Sequence, residues 1–153
     1  MPDPHSIRPV LERHLQSILD NDIAAYHAST VSELTLYEWY VTPHRIEGLP
    51  FHDFMMIESA RSDSVGTALD PLGANIVAGE AVRQRFDLAN YTEQRYGDTA
   101  ICSYTLLLTK GTAEGVRVRS HHETRVLVRL GGEWKVVHVH KSPAWAAPYS
   151  PPS

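Results

Sequence analysis

Apolar residues recur at Ile7, Val10, Leu11, Leu15, Ile18 and Leu19. Spacings of three and four lay one stripe along a helix, so the pattern predicts a first helix with Ser6 as its cap and Pro9 tolerated in its first turn. The polar run Asp20-Asn21-Asp22 stops that helix, and Asp22 is suited to cap a short second one from Ile23 to Ala28. From Thr30 to Trp39 the period changes to two. Leu34 and Leu36 fall on one side of this strand, and Glu33, Thr35 and Tyr37 on the other. Beyond the breaks at Pro43 and Gly48, Pro50 suits the opening turn of a third helix. Its flanks carry Phe51, Phe54, Met55 and Glu58 on one side, and His52, Met55, Met56 and Ser59 on the other.

No period persists over residues 61–84, where Gly66, Pro71, Gly73 and Gly79 punctuate the chain, and the stretch is read as a long, partly ordered insertion. Downstream, Phe86 to Gln94, Ala100 to Thr109, Val116 to Leu130 and Trp134 to Lys141 are rich in Val, Thr, Tyr and Leu and predict strands. Tyr96-Gly97-Asp98, Lys110 to Gly115 and Gly131-Gly132 sit where tight reversals are needed. Three helical pieces followed by a meander predict an α+β fold: a curved antiparallel sheet with helices on one face, forming a cone whose wide end is a natural pocket. One domain is expected over residues 1–142, followed by a Pro-rich tail over 143–153.

Composition narrows the function. The 153 residues, 42% hydrophobic and 21% charged, suit one folded domain. No run is apolar enough to span a membrane, and the N-terminal stretch lacks a secretory pattern, which points to the cytoplasm. The formal net charge of −4, with basic residues scattered, argues against nucleic acid as a partner. The single cysteine, Cys102, leaves no internal disulfide and no Cys-based zinc cluster. Nine histidines need explaining as ligands, acid–base groups or polar filler.

Three stretches carry a resemblance. Glu47-Gly48-Leu49-Pro50-Phe51-His52, Asp98 to Thr109, and Glu123-Thr124-Arg125-Val126 followed by Gly132 to Ser142 are similar to segments of the association (hub) domain of calcium/calmodulin-dependent protein kinase II. A Trp after a glycine turn is shared across the nuclear transport factor 2-like superfamily, which includes SnoaL-like cyclases and ketosteroid isomerases. The resemblance implies a conical fold that dimerises through its sheet, with some members forming rings. It also implies a pocket able to hold small carboxylates, without established catalysis and with no cofactor. By position, Tyr26, Glu38, His52 and Arg125 resemble retained pocket residues. Leu106 and Lys141 stand where the hub family carries arginines, which implies a larger, less charged ligand.

The residues themselves leave alternatives open. On Val116 to Leu130 the even positions are largely apolar and the odd ones largely charged, so Arg125 faces either solvent and a partner or the pocket. In the pocket its guanidinium would hold an oxygen anion through paired hydrogen bonds. His138 and His140, two apart on a strand, are expected to share a face with Trp134 and Val136. Their spacing suits a metal, but no third ligand is specified, so no metal is expected. One of the pair is expected to be buried and the other to line the pocket or interface, and His140 and Lys141 are counted with the pocket. His52 is either a satisfied core residue or an acid–base group, Glu38 a carboxylate candidate and Tyr26 an oxyanion donor. Tyr104, Cys102 and Leu106 share a core-facing side, from which Tyr104 also reaches the pocket. Two functions follow. One is a homo-oligomeric module, a dimer or ring, holding a small organic ligand. The other is a small cyclase- or isomerase-type enzyme moving a proton next to a carbonyl, with His52 or Glu38 as base.

Overall fold

A computed structural model describes residues 5–50, 52, 53 and 83–152. Phe51, Phe54, Met55, Met56, Glu58, Ser59 and the stretch 61–82 lie outside the described residues, and with them most of the expected third helix and insertion. Two helices, α1 (Arg8–Leu19) and α2 (Ile23–Ala28), precede six strands. These are β1 (Thr30–Tyr37), β2 (Ile46–Glu47), β3 (Arg83–Tyr96), β4 (Thr99–Thr112), β5 (Gly115–Leu130) and β6 (Glu133–Pro143). Residues 49, 50, 52 and 53 are helical, so the third helix opens next to Pro50.

The strands form one sheet in the order β2-β1-β6-β5-β4-β3. Strands β3 to β6 are the expected antiparallel meander, but β1 runs parallel to β6, so the sheet is mixed. The reason is topological. The first strand enters from the helices and returns to the far side of the last strand, and no hairpin connects that pair. The helices cover one face. Leu11, Leu15 and Ile18 of α1 and Tyr26 of α2 join Leu34, Leu36, Ala100, Cys102, Leu106, Leu108, Leu127, Val136 and Val139 in a single core. The period-two reading of β1 holds: Leu34 and Leu36 are buried, whereas Glu33 is exposed and Thr35 and Tyr37 are half-buried.

Local chemistry sets the ends of the elements. Asp22 caps α2, its carboxylate accepting from the Ala25 amide at 3.1 Å. The N-terminus of α1 is satisfied differently from expectation. Ser6 Oγ accepts from the Arg8 amide at 3.2 Å, while a carboxylate from another element, Glu93 of β3, accepts from the Ile7 amide at 2.9 Å and the Ser6 hydroxyl at 3.2 Å. Glu93 therefore ties the first helix to the sheet and places a negative charge at its N-terminus. Gly131 and Gly132, with φ of +57° and +81°, make the two-residue turn between β5 and β6, where any side chain would be strained.

Two extra residues change which side chains face inward. Asn90 adopts φ +51° where β3 holds one residue more than β4 between Ala89 and Thr92. In β6 the register passes from Val126↔His138 to Leu127↔Val136, leaving Val137 without an opposite residue. Each is a β-bulge that reverses the alternation beyond it.

Replacing Glu93 by Ala is expected to lower stability by about 1–2 kcal/mol, the cost of orphaning two helix-end donors. A thermal or urea melt measures it, and an unchanged midpoint would remove Glu93 as the cap.

Candidate functional site

Beneath the helices, a group of buried polar side chains lies among the hydrocarbon of the core. On β5, His121, Glu123 and Arg125 are buried with Leu127, so the odd positions of that stretch face inward. The open question of this strand's direction is thereby answered: Arg129 and Arg117 remain exposed, while the segment between His121 and Leu127 enters the core. Tyr104 arrives from β4, Lys141 from β6, Tyr26 from α2, His14 from α1, and Glu38 and Tyr40 from the end of β1 and its loop. His52 stands at the start of the third helix and is buried.

These groups form two linked clusters. Arg125 is 2% exposed and ion-pairs with Glu123 through Nη1. The same nitrogen donates to the Tyr104 hydroxyl at 2.8 Å, and that hydroxyl donates to Glu123 Oε1 at 2.8 Å. The other carboxylate oxygen of Glu123 lies 2.6 Å from His121 Nε2. Trp39 packs edge-on against the His121 ring at 5.5 Å. In the second cluster, Glu38 Oε2 accepts from Lys141 Nζ at 3.2 Å and from the Tyr40 hydroxyl at 2.5 Å, and Glu38 Oε1 lies 3.3 Å from His52 Nε2. Lys141 Nζ also comes within 3.9 Å of Glu123 Oε2, which joins the two. The rings of His14, Tyr26 and His52 form a row, with centroids 5.1 Å apart at each step.

Burial penalises charge throughout this interior, but opposite charges overcome it at three positions. For Glu38 the desolvation that would raise its pKa is outweighed by Lys141 and by bonds from His52 and Tyr40, which hold the carboxyl at about 2. Glu123 is held well below the carboxylate range because Arg125, His121 and Lys141 outweigh its burial. Arg125 is in turn held more firmly protonated by Glu123, against its own desolvation. Burial dominates the remaining groups. It pushes the Tyr26 and Tyr104 hydroxyls up and the His14 imidazole down, the latter helped by the charge of Arg125. Two carboxylates thus face two fixed cations, and the interior is close to neutral. Several buried polar atoms have no hydrogen-bond partner among the described residues, including Arg125 Nε, His52 Nδ1, His121 Nδ1 and His14 Nε2.

The structure brings together Tyr26, Glu38, His52, Tyr104, Arg125 and Lys141. It does not bring His140 to them. The bulge at Val137 turns Val136, Val139 and Lys141 inward, so His138 and His140 lie on the opposite face of the sheet and do not share one with Val136. His138 is half-buried there and His140 is exposed. Among the described residues, no group of three His, Cys, Asp or Glu is placed to hold a metal ion. Sequence reasoning missed His14, Tyr40 and Glu123. The signal for Glu123 was available, because it shares the parity of Arg125 and must follow it inward. Leu106, also turned inward, lies opposite His121.

A cone of helices over a curved sheet with such a lining defines a nuclear transport factor 2-like protein, a fold shared by a protein of unknown function from Pseudomonas putida KT2440. That structure is 20% identical with a TM-score of 0.66, over 93% of this chain and 87% of the other. The chain belongs to the calcium/calmodulin dependent protein kinase II association domain family, whose profile matches residues 4–72 and 75–145. Solved hubs share the fold. The S. rosetta CaMKII hub is 24% identical with a TM-score of 0.71, covering 94% of this chain and 100% of that one. The association domain of C. elegans CaMKII is 24% identical with a TM-score of 0.67, covering 89% and 92%.

The lowered pKa of His14 gives a sign to the acid response. Below pH 6.5 the unfolded chain takes up a proton that the folded chain refuses, so stability falls as pH drops through that value, by up to about 1.4 kcal/mol per unit. Glu38 and Glu123, depressed below 4.5, add their losses only under that pH. Urea midpoints at pH 7.5, 6.5 and 5.5 are expected to decline, and His14→Gln to flatten the decline. A flat wild-type profile would show that burial of His14 does not govern it.

Proposed function

We propose that this chain is a self-associating hub module of the cytoplasm that pairs through the outer face of its sheet and holds a small organic ligand inside its cone. The observation that carries the pairing is the sheet face opposite the helices. Ile101 and Leu107 of β4 and Val116, Val118, Val126 and Val128 of β5 alternate away from the core. Val116 and Val118 are 68% and 62% exposed. No helix among the described residues is long and apolar enough to cross a membrane. A nearly uncharged sheet face with exposed aliphatic side chains marks an interaction site, and a second copy with the same face is self-complementary to it. Membership of an association-domain family supports that choice of partner.

For the ligand, the charge balance matters more than the presence of an arginine. Arg125 is already paired with Glu123, and Lys141 with Glu38. An incoming carboxylate would have to displace an internal one, whereas a neutral carbonyl or hydroxyl oxygen could use the unpaired donors without upsetting the balance. The ligand class that fits is therefore an uncharged carbonyl compound. A second reading, an enzyme moving a proton beside that carbonyl, is favoured by one observation: the buried His52–Glu38 pair, 3.3 Å apart, with the Tyr26 ring beside His52. Glu38 is too weakly basic for the task when held at about 2, so His52 is the base in this reading and Glu38 orients it.

Two measurements test these readings. Sedimentation or light scattering should give a dimer or larger species, and Val126→Glu should shift it to monomer with the circular dichroism spectrum retained; a monomeric wild-type chain sinks the hub reading. In D2O, a cyclic ketone followed by NMR should bind at least about tenfold more tightly than the carboxylate of the same skeleton. Deuterium entering its α-carbon, and lost in His52→Gln, would decide for the enzyme, while the reverse order of affinities would sink the neutral-ligand reading.

A further inference from the structure

Of the nine histidines, three lie together on the outer face of the sheet, and neither the core nor the interior clusters use them. Strand β6 contributes His138 and His140, and the neighbouring strand β5 contributes His122. Their backbone positions are set by the register: His138 lies opposite Val126, His140 opposite Thr124, and His122 opposite Ser142. The imidazoles are held from within the sheet. His138 Nδ1 is hydrogen-bonded to Thr35 Oγ1 at 2.8 Å, and His122 Nδ1 to Thr105 Oγ1 at 2.9 Å. The Tyr37 ring packs against both His138 and His140, at 6.3 and 5.1 Å. One ring nitrogen of His138 and of His122 is thus engaged along the sheet, which turns the other toward whatever covers this face.

The surroundings contain little to compensate a positive charge. Along β4 this face presents Thr99, Ile101, Ser103, Thr105, Leu107 and Thr109. On β5 it presents Val116, Val118, Ser120, Thr124, Val126 and Val128 beside His122, and on β6 Ser142 beside the two histidines. The charged groups sit at the rim and are already engaged. Arg45 and Glu47 of the β2 edge pair with each other at 2.5 Å, and Arg85 and Asp87 of β3 pair at 3.2 Å. Glu33 of β1 accepts from Ser32 at 3.1 Å, and Lys135 of β6 donates to the Ala28 carbonyl at 2.9 Å. Between these edges, the only side chains among the described residues that gain or lose charge near neutral pH are the three imidazoles.

We infer that His122, His138 and His140 make the pairing of two copies through this sheet face sensitive to acid: neutral imidazoles permit it and protonated ones oppose it. The inference rests on the proposal that a second copy covers this face. Two like faces meeting bring the same three groups from each chain into one desolvated layer with no facing carboxylate. Each added proton is then a charge taken out of water and set near others of its sign. The isolated chain already shows the direction, since partial burial and the neighbouring His140 push His138 down from its usual value. Covering the face strengthens the first of these effects. The sign follows: separated copies bind more protons than paired ones below pH 6.5, so association weakens as pH falls through that value.

The test uses the full chain in sedimentation equilibrium at pH 7.5, 6.5 and 5.5, with circular dichroism confirming the fold at each pH. An imidazole kept neutral in the pair weakens association by about tenfold per pH unit below 6.5. With the three imidazoles of each copy contributing, and His138 less than the others because it is already held down, the dissociation constant is expected to rise by at least about tenfold between pH 7.5 and 5.5. In the triple variant His122→Gln, His138→Gln, His140→Gln the constant should stay within about threefold across the same range. Folded wild-type chain with an unchanged constant overturns this inference and leaves the pairing proposal standing. A variant that still dissociates in acid overturns it too, by moving the sensitive group elsewhere. A chain that stays monomeric at every pH removes the pairing, and the inference with it.

Discussion

A guanidinium buried among ring systems and aliphatic side chains is tolerable only if something pays its desolvation, and here Glu123 does. Arg125 is among the largest fully buried side chains of the chain, and the rest of the interior is organised around keeping it charged. Glu123 supplies the opposite charge, Tyr104 bridges the two, and His121 occupies the remaining carboxylate oxygen. Lys141 and Glu38 repeat the arrangement on the neighbouring strands, and their proximity couples the pairs. Removing one partner would leave an uncompensated charge in a medium that cannot solvate it, a penalty of several kcal/mol. The polar interior is therefore an integral part of the fold, and any binding or chemistry at the wide end of the cone has to work within its balance.

This arrangement also separates the chain's two faces by kind of function. The inner face holds charged groups in matched pairs, buried away from solvent. The outer face holds almost no fixed charge, only hydroxyls, aliphatic side chains and imidazoles. The proposed pairing concerns the outer face, with its exposed valines of β5, whereas the proposed ligand concerns the inner one. Because the strands alternate, one stretch of sequence serves both: from His121 to Val128, successive residues point into the interior and onto the outer face in turn.

Much of the fold was legible because it rests on period. The helical stripe of Ile7 to Leu19, the alternation of Leu34 and Leu36, and the double glycine at 131–132 each encode one geometry with little competition. The residue match around Glu123 to Val126 and Gly132 to Ser142 pointed to the right family. What was not legible depended on single residues that break a period. Nothing in the composition around Val137 announces a bulge, so alternation carried forward from Trp134 placed His138 and His140 on the wrong side. The parallel pairing of β1 with β6 and the reach of Glu93 to the first helix are contacts between distant segments, which local spacing cannot register. Arg125 itself was ambiguous for a physical reason: a strand with charge on one side and valine on the other reads as surface-out unless the charges neutralise one another, and only the three-dimensional arrangement shows that they do.

The unpaired Val137 has a consequence for how this chain can vary. Upstream and downstream of it, the closing strand is read in opposite phase, so the same sequence paired without the bulge would exchange an ammonium for an imidazole in the interior and turn the lysine to the other side. Deletion of Val137, by contrast, would leave Leu127↔Val136 and Val126↔His138 as successive pairs of a regular ladder, with Lys141 still beside Glu38. Taking up the one surplus residue in a bulge, rather than along the ladder, is what seats Lys141 inside and leaves both imidazoles on the other surface.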